Sequence, residues 1–136
     1  MSRENVEVVQ RGWDHFSATG EPMAEVYAPG FVWDMSTFRG WPESQTYEGL
    51  DGVRRFLHDW GSAFDDWRVE LDSIHDVGEQ VVLLLRQHGR AKATGMVVDM
   101  SLGMVFTLQD GLQTWMQMYA DPDEALRAAG ADPRQV

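Results

Sequence analysis

From Met96 to Gln109 the chain alternates between two kinds of side chain, and few folds can accept that pattern. Met96, Val98, Met100, Leu102, Met104, Phe106 and Leu108 alternate with Val97, Asp99, Ser101, Gly103, Val105, Thr107 and Gln109. A period of two puts the first set on one face of a strand and the second on the other. Asp110-Gly111 is a strong hairpin signal, and LQTWMQMYA returns as the last strand. Upstream, Trp67, Val69 and Leu71 alternate with Arg68, Glu70 and Asp72. The turn DVGEQ then leads into the more continuously apolar VVLLLRQHGRA, which Gly89 or Gly95 bends or ends. Four strands joined by tight turns therefore occupy the second half of the chain.

The first half follows another period. Val6, Val9, Trp13 and Phe16 recur at helical spacing within Glu4 to Ala18, and Gly20 and Pro22 close that helix. Pro22 suits the first turn of a short second helix, Met23 to Ala28, which Pro29-Gly30 stops before the strand FVWDMS, Phe31 to Ser36. Thr37 to Glu48, with Gly40, Trp41 and Pro42, has no period and is expected to be a mobile flap. Val53, Phe56, Leu57, Trp60 and Phe64 then lie on one face of a third helix starting at Leu50. Asp121-Pro122-Asp123-Glu124 caps a short terminal helix. Helices collected before a meander predict one α+β domain over residues 1–136, a curved antiparallel sheet wrapped around helices and enclosing a cone-shaped cavity.

Charge and composition narrow the partners. The net charge of −11 repels phosphate backbones and anionic lipid faces, so neither nucleic acid nor membrane is expected as partner. With no cysteine there is no disulfide framework or thiolate metal site, and no apolar run approaches the roughly 18 residues a spanning helix needs. A cytoplasmic protein is the expectation. No His-x-His or His-Glu-x-x-His spacing occurs, and neither metal nor cofactor is expected.

The element order, with YAPGFVWD, the segment YEGLDGVRRFL opening the third helix, and DGLQTWMQMYADPDEAL near the end, resembles the SnoaL-like branch of the nuclear-transport-factor-2-like superfamily. The resemblance spans almost the whole chain and implies a cystatin-like, cone-shaped α+β barrel. It also implies one position of interest. In the ketosteroid isomerases of this superfamily a tyrosine-alanine pair ends the second helix, and an aspartate closing the next strand is the general base. Tyr27-Ala28 followed by Asp34 matches that base by position. The donors of that site have no counterpart: no tyrosine precedes Tyr27, and LGMVF puts Gly103 or Met104 where the isomerases carry a protonated aspartate. The aspartate, arginine, aspartate set of the fold's epoxide hydrolases is likewise replaced by Arg86-Gln87-His88, and residues 112–118 hold nothing ionisable.

Within the chain itself, alternation places Val32 and Asp34 on one face of their strand and Phe31, Trp33 and Met35 on the other. If the Asp34 face turns inward, desolvation makes its carboxylate a better base, and His15, two residues after Trp13, is the residue to pair with it. Six Trp and eight Met in this length suit a cavity that adapts to an apolar guest. Met100, Leu102, Met104 and Phe106 share a face, as do Thr114, Met116 and Met118 on the neighbouring strand. Met100, Leu102, Met104, Phe106, Met116 and Met118, together with Trp13, Val32, Phe56 and Trp60, are the expected substrate-binding residues, with Trp41 or Tyr47 covering the entrance. Gln113, Trp115, Gln117 and Tyr119 mix aromatic with uncharged polar groups, as interface centres do, and a homodimer through the sheet is expected.

The sequence thus leads to a small cofactor-free enzyme. It would take an apolar, aromatic or cyclic molecule and move a proton with Asp34, assisted by His15, in an isomerase, cyclase or lyase reaction. The alternatives are a non-catalytic binding module for a hydrophobic small molecule and a dimerisation domain of the same fold.

Overall fold

A computed structural model describes residues 2–38, 41 and 45–135. Among these residues three helices and six strands follow in the order α1 (Ser2–Thr19), β1 (Tyr27–Asp34), β2 (Thr46–Glu48), α2 (Gly49–Gly61), β3 (Phe64–Val77), β4 (Gln80–Ala91), β5 (Val97–Gln109), β6 (Leu112–Tyr119) and α3 (Pro122–Ala128). Short 3-10 turns cover Ala24–Val26 and Pro133–Gln135. The strands form one curved, unclosed sheet in the order β2-β1-β6-β5-β4-β3.

The expected α+β cone is present, with one difference in the sheet. All neighbouring strands are antiparallel except β1 and β6, which pair in parallel, so the sheet is mixed. The parallel pair arises because β1 is separated in sequence from the meander and joins its free edge, beside β6, with no hairpin to dictate direction.

Other departures share one cause, the pull of sheet pairing on residues whose local signals point elsewhere. The second helix expected over Met23 to Ala28 is reduced to the Ala24–Val26 turn, since Tyr27 is already extended and pairs with Gln113. The strand expected to begin at Phe31 therefore begins at Tyr27. Likewise Phe64, expected on the third helix, opens β3 opposite Ala91. The end of the expected flap, Thr46–Glu48, is the edge strand β2, held against β1 with Tyr47 opposite Trp33. Gly40 and Pro42 of that flap lie outside the described residues. Among its described residues, Trp41 stacks on Trp60 with ring centroids 5.0 Å apart.

The hairpin forms where expected. Asp110 and Gly111 have φ of 53° and 78°, the left-handed pair that a two-residue turn matched to strand twist requires. Gly95, with φ of 75°, lies in the turn that separates β4 from β5.

Among the described residues two apolar cores lie on opposite faces of the sheet. The larger fills the concave side beneath α1 and α2 and includes Val9, Phe31, Trp33, Phe56, Trp60 and Leu83. The smaller joins Val82, Val105 and Tyr119 to Ala125, Leu126 and Ala129 of α3. Gly103 allows that docking, because a Cβ there would clash with the Ala125 Cβ.

Candidate functional site

The concave core is not filled. Between the sheet, α1 and α2 lies a cavity with about 80 Å³ open to the centres of water molecules, room for a compact ring system. Val9, Gly12, Trp13 and Phe16 of α1 form one wall, and Val53, Phe56, Leu57 and Trp60 of α2 another. Each set is one helical face, which is why the spacing in sequence was so regular. The sheet supplies Trp33 from β1, Trp67 and Val69 from β3, and Leu83 and Leu85 from β4. Leu102, Met104 and Phe106 follow from β5, and Met118 from β6. Trp13, Phe16, Leu57, Trp67 and Val69 are only half-buried and form the outer part of the cavity.

Among the described residues three polar side chains complete the lining, all neutral. Gln87 is 1% exposed; its Oε1 accepts hydrogen bonds from Trp60 Nε1 at 2.6 Å and from Trp67 Nε1 at 2.9 Å. Gln113, also 1% exposed, hydrogen-bonds through its side chain to Tyr27. Burial pushes the Tyr27 phenol up to about 12, the Gln113 contact pulling the other way, so the hydroxyl stays protonated at neutral pH. No carboxylate or imidazole belongs to the wall among the described residues. Such a wall can strip water from a guest, orient it and donate hydrogen bonds, but it supplies no general base of ordinary strength.

Of the residues expected to bind substrate, Trp13, Phe56, Trp60, Leu102, Met104, Phe106 and Met118 do line the cavity. Met116 is fully buried in the same core without lining the cavity, and Met100 is half-buried near the start of β5. Trp41 packs on Phe56 and Trp60, behind the wall that those rings present. Tyr47, expected at the entrance, is instead a core residue: 0% exposed, edge-on to Phe56, its hydroxyl 3.1 Å from Asp59 Oδ2 and its ring under the Arg55 guanidinium.

The structure also decides the β1 faces. Trp33 lines the cavity, so Val32 and Asp34 turn to the other side of the sheet. Asp34 is only 6% exposed, yet its neighbours are those of a turn, with Oδ1 accepting the Ser36 N–H at 2.8 Å. Its charge also acts on Tyr119, whose phenol is pushed up first by burial and further by Glu124 and Asp34, against a Thr37 hydrogen bond. His15 is half-buried on α1 and does not line the cavity. No hydrogen bond or ion pair joins it to Asp34 among the described residues, because alternation places the carboxylate on the far side of the sheet.

Reading by sequence missed the polar lining. Gln87 shares parity with Leu83 and Leu85, so alternation alone could have placed it inside. Gln113 could not be found that way. Thr107 pairs with Trp115 and Leu108 with Gln113, leaving Thr114 as the extra residue of a bulge that turns Gln113 inward. Of the four residues assigned to a sheet interface, Gln113 therefore lines the cavity and Tyr119 lies under α3, while Trp115 remains 40% exposed and Gln117 half-buried. His88 faces outward too, its Nε2 2.6 Å from Glu70 Oε1. Among the described residues no group of three or more His, Asp or Glu could hold a metal ion, and no helix is long and apolar enough to cross a membrane.

With this geometry in hand, known proteins provide a comparison. The family model of the SnoaL-like domain matches residues 9–116. An NTF2-like protein from Burkholderia thailandensis E264 superposes with a TM-score of 0.74 at 23% identity, over 93% of this chain and 96% of its own. A candidate SnoaL-like polyketide cyclase from Jannaschia sp. CCS1 gives 0.68 at 24% identity, over 96% and 94%. TerC, co-crystallised with polyporic acid, gives 0.70 at 17% identity, over 94% and 99%. Among curated proteins none matches the chain in sequence.

Proposed function

Because the chain belongs to the SnoaL-like domain family, we propose that its cone is a small-molecule site for a compact, apolar, ring-bearing compound, on which it acts in the manner of an isomerase or cyclase. The observation that carries the reading is the wall itself: among the described residues it consists of aromatic rings and aliphatic side chains with two thioethers, interrupted only by neutral hydrogen-bonding groups. A hollow of that chemistry favours a flat, largely uncharged guest, since an ionised one would lose its hydration without gaining a partner. The Jannaschia neighbour, a candidate polyketide cyclase, and TerC with polyporic acid make cyclic organic molecules a reasonable class for this chain. Identity below 25% carries the fold and not the reaction.

The chemistry available in the cone is conformational and electrostatic. A substrate held between α1, α2 and the sheet loses freedom and water together, and neutral donors stabilise negative charge developing on its oxygen. Proton removal by Asp34 is the catalytic step expected by position. Its support is the burial of the carboxylate; its difficulty is that Trp33, and not Asp34, points at the guest.

Titration with 2-naphthol tests the reading, because Trp13, Trp33, Trp60 and Trp67 all line the cavity and their fluorescence reports occupancy. Saturable quenching is expected, and Asp34→Asn should bind within about twofold of wild type because the side chain is not in the wall. Absence of any tryptophan response up to the solubility of the probe would remove the small-molecule reading. Once a substrate is in hand, loss of turnover in Asp34→Asn with binding intact would make Asp34 the base, and retained turnover would leave the neutral donors as the catalytic groups.

A further inference from the structure

Gln87 is the most constrained polar group in the cavity. An indole N–H can only donate, so the atom met by both Trp60 Nε1 and Trp67 Nε1 must be the amide oxygen. That settles which way the amide faces, and both acceptor sites of the oxygen are used. The NH2 group is left over: Nε2 is buried and has no hydrogen-bond partner among the described residues. Buried donors in folded chains are almost always paired, so an oriented and unpaired amide on a cavity wall needs a reason.

We infer that Gln87 is the polar recognition residue of the cone, its Nε2 donating to a carbonyl-type oxygen of the bound ring compound while Trp60 and Trp67 hold the amide in place. This rests on the small-molecule reading of the cone and adds to it the substrate class, a cyclic ketone or quinone in preference to a hydrocarbon. Among the described residues the wall has little else to accept that hydrogen bond, since Tyr27 and Gln113 are engaged with each other and the rest of the described lining is apolar. A guest with an acceptor on its rim satisfies the donor; a guest without one leaves it unpaired and dry. Site-built hydrogen bonds of this kind discriminate more sharply than the added bulk of a methylene. Trp60 and Trp67 are positioning residues in this arrangement, acting through Gln87.

The test compares 1-indanone with indane, which share a ring frame and differ in one oxygen. Dissociation constants are read from tryptophan fluorescence in wild type and in Gln87→Glu, a variant that keeps an acceptor for both indoles and loses the donor. The preference for indanone over indane should fall by about tenfold in the variant, the loss of one net hydrogen bond. In case Gln87→Glu does not fold, the side-chain amide resonances of Gln87 in wild type provide a second reading; they should shift strongly with indanone and little with indane. An unchanged preference in Gln87→Glu, or equal amide shifts with both probes, overturns the role of Gln87 while leaving the cone as a binding site. A wild-type protein that answers to neither probe overturns the cone reading and this inference with it.

Discussion

Single side chains in this protein take their meaning from which face they occupy. Asp34 is buried, yet one of its oxygens holds the N–H of Ser36, so the residue secures the turn after β1 whatever else it does. Tyr27, unremarked for chemistry in the sequence, is the titratable group of the cavity wall among the described residues. Its phenol is raised from 10.0 to about 12, because burial disfavours the phenolate. Folding therefore favours the neutral form. The resulting stabilisation, about 2 to 3 kcal/mol, is complete below the unfolded value and is lost as pH rises from there through the folded value. Urea unfolding across the alkaline range should show wild-type stability falling more steeply than that of Tyr27→Phe; parallel curves would contradict the burial of that hydroxyl.

At the scale of elements, α3 shows how a close approach between two pieces fixes a residue type. The helix is capped by Asp121, whose side chain accepts from the Asp123 N–H at 3.0 Å, and it lies on β5 at Gly103. Gly103→Ala should cost about 1 to 3 kcal/mol by overpacking against Ala125, and Ala125→Gly should recover part of that in the double variant. Because this contact is on the far face of the sheet, binding of 2-naphthol in the cone should survive the substitution at temperatures where the protein remains folded. Thermal unfolding of the three variants checks the first expectation, and fluorescence titration the second. Helical spacing in α1 and α2, strand alternation in β5 and the Asp110-Gly111 turn were all legible beforehand, since each depends on neighbours in sequence. The β1–β6 pairing and the conversion of Tyr27 and Phe64 into strand were not, since they depend on residues far along the chain.

For the whole molecule, an unfilled cone is a place where binding and stability are linked. A ligand that binds only the folded chain adds about 2.7 kcal/mol at a hundred times its dissociation constant. The Tm should therefore rise with 1-indanone concentration, and go on rising roughly with its logarithm above the dissociation constant seen by fluorescence. A Tm that stays constant while fluorescence saturates would show that the fluorescence change does not report preferential binding to the folded chain. The outer face of the sheet, where Trp115 stands 40% exposed beside Gln117, remains the proposed surface for pairing with a second copy. Sedimentation of wild type against Trp115→Glu tests it, with a shift to a smaller species expected in the variant.

Periodicity and turn chemistry alone determined the α+β class, the meander, the helices over the cone and about a third of the cavity wall, because a strand or an amphipathic helix commits its apolar residues to one side wherever it is placed. Which side of β1 faces the hollow was beyond that logic, since parity relates residues to each other and not to the rest of the protein. The bulge at Thr114 also reversed parity for Gln113, and only the assembled sheet put Gln87 within reach of two indoles. The chemistry of the site was therefore settled by tertiary packing, which decides where unlike residues meet.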